Sequence, residues 1–152
     1  MAGTNATVST YGLTHLALGV RDPAHAFAFY RRVFGMVAVY EQADFIQAQT
    51  PGARDVLVFE RSTGVSGSGS IAHFGFRLTD AADIDVAVTA VRAAGGTIVE
   101  RGEFVPGEPY VFARDLDGYL LEIWYELPTP ADPTSDRPRP RLTSRDQRRR
   151  EG

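Results

Sequence analysis

Residues 12–20, GLTHLALGV, place apolar side chains at Leu13, Leu16, Leu18 and Val20, the pattern of a buried β-strand. His15 is the misfit; alone, it reads as a core histidine satisfied by a hydrogen bond. The strand is expected over 11–20. Asp22-Pro23 then marks a helix start, because Asp caps free backbone N–H groups and Pro suits the first turn. The helix is expected over 23–34, with Ala26, Phe27, Phe29, Tyr30, Val33 and Phe34 on its apolar face and Gly35 as its stop. Strands follow near 36–41, 44–49 and 54–60. The Gly/Ser-rich stretch 61–70, RSTGVSGSGS, reads as a flexible linker. Beyond it come a strand over 71–78 and a helix over 81–94, the helix carrying Ile84, Val88 and Val91 on one face. Strands near 97–101, 109–114 and 119–126 complete the pattern.

The order βαβββ therefore occurs twice, in modules 11–60 and 71–127. LTHLALGVRD lies over IAHFGFRLTD without a gap at an offset of 58, so His15 falls on His73 and Asp22 on Asp80. Two unrelated core histidines would rarely coincide at one position of a repeat. The pair points instead to ligands converging from two strands.

A third candidate lies in DLDGYLLEIWYE, residues 115–126, where Leu120, Glu122, Trp124 and Glu126 share one strand face. Glu122 alone reads equally well as a charge on a solvated face. Among Leu121, Ile123 and Trp124 it reads as a buried carboxylate, which needs a cation. Two neutral imidazoles and one carboxylate leave positions open on a divalent ion. Arg77 alternates with His73 and is a candidate either for an anionic substrate or for pairing with an acid. Tyr110, Phe112 and Trp124 are candidates for an aromatic substrate wall, or for core. Arg54, Gln47 and Gln49 are weaker candidates, and His25 is expected to be exposed. The Gly/Pro-rich stretch 102–110 is a loop suited to closing over a site.

Together, THLALGVRDPAHAFAFYRRVFGM, AHFGFRL and RDLDGYLLEIW resemble the vicinal oxygen chelate superfamily, which includes glyoxalase I, extradiol dioxygenases and bleomycin resistance proteins. The resemblance covers roughly residues 11–127. It implies an α+β fold of paired βαβββ modules whose mixed sheet curls into a metal-binding cup. It also implies His15, His73 and Glu122 as metal ligands and a homodimer. Glyoxalase-like members add a carboxylate from the fourth strand. Laying DVLVFE over DGYLLE puts Glu60 on Glu122 and makes it the candidate fourth ligand, or else a strand-end charge beside Arg61. Phe112 and Leu116 stand where ring-cleaving dioxygenases resemble Tyr and Pro, and no further upstream histidine exists, which counts against standard catechol cleavage.

Composition narrows the picture further. The chain has 152 residues, room for one domain; it is 43% hydrophobic, 23% charged and free of cysteine, so thiolate chemistry is excluded. No apolar run is long enough for a membrane span, and residues 1–10 lack the features of a secretion signal, so a cytoplasmic protein is expected. The net charge of −3 is uneven: residues 128–152 hold seven Arg against four acids, leaving the rest at −6. That Pro/Arg-rich tail is expected to be extended or disordered, and the acidic body makes nucleic acid an improbable partner. The combined expectation is a divalent-metal enzyme of non-haem Fe(II) oxygenase type acting on a small oxygenated substrate, with Glu122 as ligand at the reacting centre. The alternatives are a redox-inert lyase or isomerase using Mn, Ni, Zn or Mg, and a small-molecule-binding resistance protein.

Overall fold

The computed structural model describes residues 11, 13–64, 71–130 and 132–133. The N-terminal ten residues, most of the linker expected to be flexible and the tail beyond 133 expected to be extended or disordered lie outside the described residues. The first module runs β1 (His15–Val20), α1 (Pro23–Phe34), β2 (Val37–Gln42), β3 (Phe45–Gln49) and β4 (Val56–Arg61). The second runs β5 (Phe74–Arg77), a 3-10 turn (Ala81–Asp83), α2 (Ile84–Ala93), β6 (Thr97–Glu103), β7 (Pro109–Arg114) and β8 (Leu120–Trp124).

Each module forms its own four-stranded mixed sheet, in the orders β1-β4-β3-β2 and β5-β8-β7-β6. The first strand of each pairs parallel with the fourth, and all other pairings are antiparallel. The repeat extends to an irregularity: both second strands carry a β-bulge, between Ala38 and Tyr40 and between Ile98 and Glu100. Asp22 caps α1 by accepting from the Ala24 N–H at 3.0 Å, and Asp80 caps the 3-10 turn by accepting from the Ala82 N–H at 2.9 Å. The second helix is thus shorter than the 81–94 expected. Its first turn tightens to 3-10, as helix termini often do. β5 is also shorter than 71–78.

Alternation divides each sheet into a core face and an open face. Leu18, Val20, Ile46, Leu57 and Phe59 turn inward in the first module, and Val111, Ala113, Leu121 and Ile123 in the second, all nearly or fully buried with α1 and α2. The modules are joined through α1. Phe34 stacks on Phe76 of β5 with ring centroids 3.8 Å apart. The buried Tyr30 hydroxyl donates to Asp115 Oδ2 at 2.6 Å, while Asp115 Oδ1 accepts from the N–H groups of Asp117 and Tyr119. Tyr119 donates to the Gly19 carbonyl at 2.8 Å, and Asp117 Oδ1 accepts from the Arg21 N–H. The DLDGY turn is therefore a clasp between modules, and its acids are structural.

Candidate metal face of the second module

β8 and the strands beside it build the site. Leu121 and Ile123 commit one face of β8 to the core, so alternation turns Glu122 and Trp124 to the open face. Register then sets two rows across the sheet. One reads Gly75, Glu122, Phe112 and Glu100; the next reads Arg77, Trp124, Tyr110 and Gly102. His73, just before β5, falls beside the first row. Its ring meets Phe112 edge-on with centroids 5.1 Å apart.

Glu122 is the anomaly of this face. It is only 8% exposed although it lies on the open side. His73 Nε2 is 3.4 Å from Glu122 Oε2, and Glu122 Oε1 is buried with no hydrogen-bond partner among the described residues. Burial pushes the Glu122 carboxyl above its usual range, and His73 pulls the other way. Gly75 lies opposite, and a Cβ there would sit in ordinary contact, 3.4 Å from the Glu122 carbonyl oxygen and 3.5 Å from Trp124 Nε1. An unpartnered buried carboxylate oxygen beside an imidazole nitrogen is a donor set that fits a divalent ion.

His15 and His73 line one cavity of about 400 Å³ between β1 and β5, together with Thr14, Asp55 and Gly75. Among the described residues no three His, Asp or Glu side chains gather closely enough to make a complete cation site. The structure thus brings His73 and Glu122 together and leaves His15 across the cavity.

Glu60 does not occupy the position that the alignment gave it. Two residues after each repeated His, Ala17 pairs with Val58 and Gly75 pairs with Glu122. Val58 is therefore the structural counterpart of Glu122, and Glu60, paired with Gly19, lies one further step along and is exposed. Sequence overlay missed this because the β3–β4 connection differs in length from its counterpart.

Arg77 resolves toward the acid. Its guanidinium bonds both Asp132 oxygens, at 2.7 and 3.0 Å, and the carbonyls of Glu126 and Leu127. This pair, with the Thr129 N–H, holds Asp132 well below the usual carboxylate range and ties the start of the tail to β5. Of the aromatic candidates, Tyr110, Phe112 and Trp124 are half-buried and all stand on the open face. His25 is exposed, as expected.

Glu100 was not among the expected site residues. Strict alternation in TIVERGE groups it with Ile98 on the core side, and only the bulge reverses that parity. It accepts from the Tyr110 hydroxyl at 2.7 Å, and this bond raises the Tyr110 pKa.

The profile of the Glyoxalase/Bleomycin resistance protein/Dioxygenase superfamily matches residues 12–123. The chain belongs to this superfamily. An uncharacterized protein of Pseudomonas aeruginosa, PA2024, is 30% identical over 125 residues, covering 76% of this chain and 89% of its own. Among solved structures, the fosfomycin resistance protein FosX of Listeria monocytogenes superposes with a TM-score of 0.67 at 18% identity, over 78% of this chain and 96% of that one. A lactoylglutathione lyase of Agrobacterium tumefaciens gives 0.60 at 23% identity, over 76% and 94%. These two likenesses support the paired βαβββ fold and nothing finer. No helix among the described residues is long and apolar enough to cross a membrane.

Proposed function

We propose that this superfamily member is a divalent-metal-dependent enzyme acting on a small oxygenated substrate, with His15, His73 and Glu122 as ligands. The unpartnered, buried Oε1 of Glu122 beside His73 carries the reading. A bound divalent ion would supply Lewis acidity, and as Fe(II) also a redox centre. Glu122 contributes the single negative charge of the set, and the histidines contribute neutral nitrogens. Phe112 packs edge-on against the His73 ring and limits the ring's movement beside Glu122.

Within that reading, oxygenase chemistry with Fe(II) is favoured. Val58 stands at the first-module counterpart of Glu122, so the set has three ligands and leaves room for two substrate oxygens, or one oxygen and dioxygen. A second reading is a redox-inert lyase or isomerase using Mn, Ni, Zn or Mg, because the same nitrogen and oxygen donors suit those ions as well. It requires Glu60 to reach the metal. A homodimer fits both, because β1 and β5 are sheet edges.

Metal analysis of protein purified without added metal, followed by reconstitution under air and under nitrogen, tests the reading. Near-stoichiometric iron with oxygen uptake supports an oxygenase. Full anaerobic turnover with zinc or magnesium supports the lyase or isomerase. Protein that binds a small molecule yet takes up no divalent metal is a resistance-type binder instead.

A further inference from the structure

Glu122 Oε1 has no partner among the described residues, and the rest of the chain offers few cations to it. The chain has no lysine. Residues 1–10, Gly12, 65–70 and Ala131 hold no arginine, whereas residues 134–152 hold seven, against three acids. The cationic side chains outside the described residues therefore all belong to the tail. On the open face itself the described cations are engaged. Arg77 is held by Asp132 and Glu126, and Arg114, beyond Phe112 on β7, donates to the Gly118 carbonyl.

The tail also starts beside this face. After β8 the Tyr125 N–H donates to the Pro109 carbonyl, and the Leu127 N–H to Glu108 Oε1 at the β6–β7 turn. The chain then returns to β5, where Asp132 grips Arg77, and its described part stops at Pro133. Arg77 stands in the open-face row of Trp124 and Tyr110, one two-residue step or about 7 Å from the Glu122 row. Glu100 closes the Glu122 row, two strand spacings or about 10 Å across, with Phe112 between.

The opening of the tail matches these spans. TSDRPRPR, residues 134–141, sets Arg137, Arg139 and Arg141 among prolines. Pro138 and Pro140 oppose a helix and bias the arginines before them to extended backbone. At about 3.1 Å per residue, Arg137 comes about 12 Å from Pro133, and Arg141 about 12 Å further. The first step spans the distance from the Arg77 row to Glu122, and the second the distance from Glu122 to Glu100. The first sheet offers no such target, because its equivalent row is Ala17, Val58, Gln47 and Tyr40.

We propose that residues 137–141 of the tail lie across the open face of the second sheet in the metal-free protein, with Arg137 at Glu122 and Arg141 at Glu100, as an internal cover of the site. The planar guanidinium fork suits each carboxylate. The seat of the tail does not rest on the metal reading above; its release by metal does. Exposed ion pairs add little to stability, so the cover shows in accessibility rather than in melting temperature.

Trp124 is the only tryptophan of the chain and lies half-buried in the row that the tail must cross. Acrylamide quenching of its fluorescence in full-length, metal-free protein therefore reads the cover. Arg137→Gln, Arg139→Gln and Arg141→Gln together should raise the quenching constant about twofold, and about 1 M salt, which cuts the screening length to about 3 Å, should do the same to the unaltered protein. The same salt should leave the triple variant unchanged. Glu100→Gln should give part of the rise, and Arg148→Gln, Arg149→Gln and Arg150→Gln together none. Equal constants in the proximal triple variant and the unaltered protein, or a rise in the distal variant alone, overturns the proposal. Shielding that grows with protein concentration assigns the cover to a partner's tail and overturns the seat within one chain. Zinc should release the cover; shielding that needs Arg137, Arg139 and Arg141 yet persists in zinc upholds the cover and overturns Glu122 as a metal ligand instead.

Discussion

The two modules repeat one backbone with different chemistry on it. Across the first sheet a row reads Ala17, Val58, Gln47 and Tyr40; the equivalent row of the second reads Gly75, Glu122, Phe112 and Glu100. Pairing pattern, bulge and preceding histidine are the same in both. The carboxylates belong to the second alone. Duplication thus preserved what strand pairing and core packing require, namely the inward residues and the bulge. It left the outward residues free to differ, since they bear little folding energy.

The largest expected effect breaks this asymmetry at its centre. Glu122→Leu should lower divalent-metal affinity by at least about a hundredfold, whereas Glu60→Gln should leave it unchanged, both read by isothermal titration. The same Glu122→Leu change should raise the melting temperature of metal-free protein, because it removes a buried carboxyl whose Oε1 has no partner. Equal loss in the two variants would assign Glu60 to the site and favour the lyase or isomerase.

His15→Ala and His73→Ala compare the modules more directly. If the repeated histidines serve one ion, each substitution should cut metal stoichiometry in parallel, by elemental analysis, with the fold retained by circular dichroism. Retention of full stoichiometry in His15→Ala alone would confine the site to the second module.

The clasp comes next. Tyr30→Phe strands the buried Asp115 Oδ2 and should cost about 1–3 kcal/mol in denaturant unfolding, more than Tyr119→Phe, whose partner is a single carbonyl. Asp115 also carries a pH signature. Burial raises its pKa above the ordinary 3.8, against the pull of Tyr30 and two backbone N–H groups. The folded state therefore holds this proton more tightly than the unfolded one. The Asp115 contribution is fully present below 3.8 and falls away as pH rises through the raised value. Asp115→Asn should flatten that part of the stability profile; an unchanged slope would remove Asp115 as its source.

The smallest effect concerns the tail. Asp132 ties back to Arg77, so truncation after Pro133 should leave both stability and a dimeric mass by light scattering unchanged. A monomer after truncation would place the basic tail in the subunit contact.

The sequence by itself determined the elements and their duplication, because both follow from local patterns. Asp22-Pro23 and Gly35 bracket α1 at the residues expected, and the gapless overlay held through the four pairs that β5 makes, with His73 just ahead of that strand and His15 inside β1. The open side of β8 was legible too, since Leu121 and Ile123 leave Glu122 nowhere else to point. Tertiary structure decided what depends on register and on distant partners. A bulge shifts parity by one residue without any composition signal, which is why Glu100 went unseen. The Glu60 overlay was off by two residues, because loop length between strands does not report which residues pair. Only packing revealed that Asp115 and Asp117 fasten the modules and that Arg77 is held by Asp132, because those partners lie 55 or more residues away along the chain.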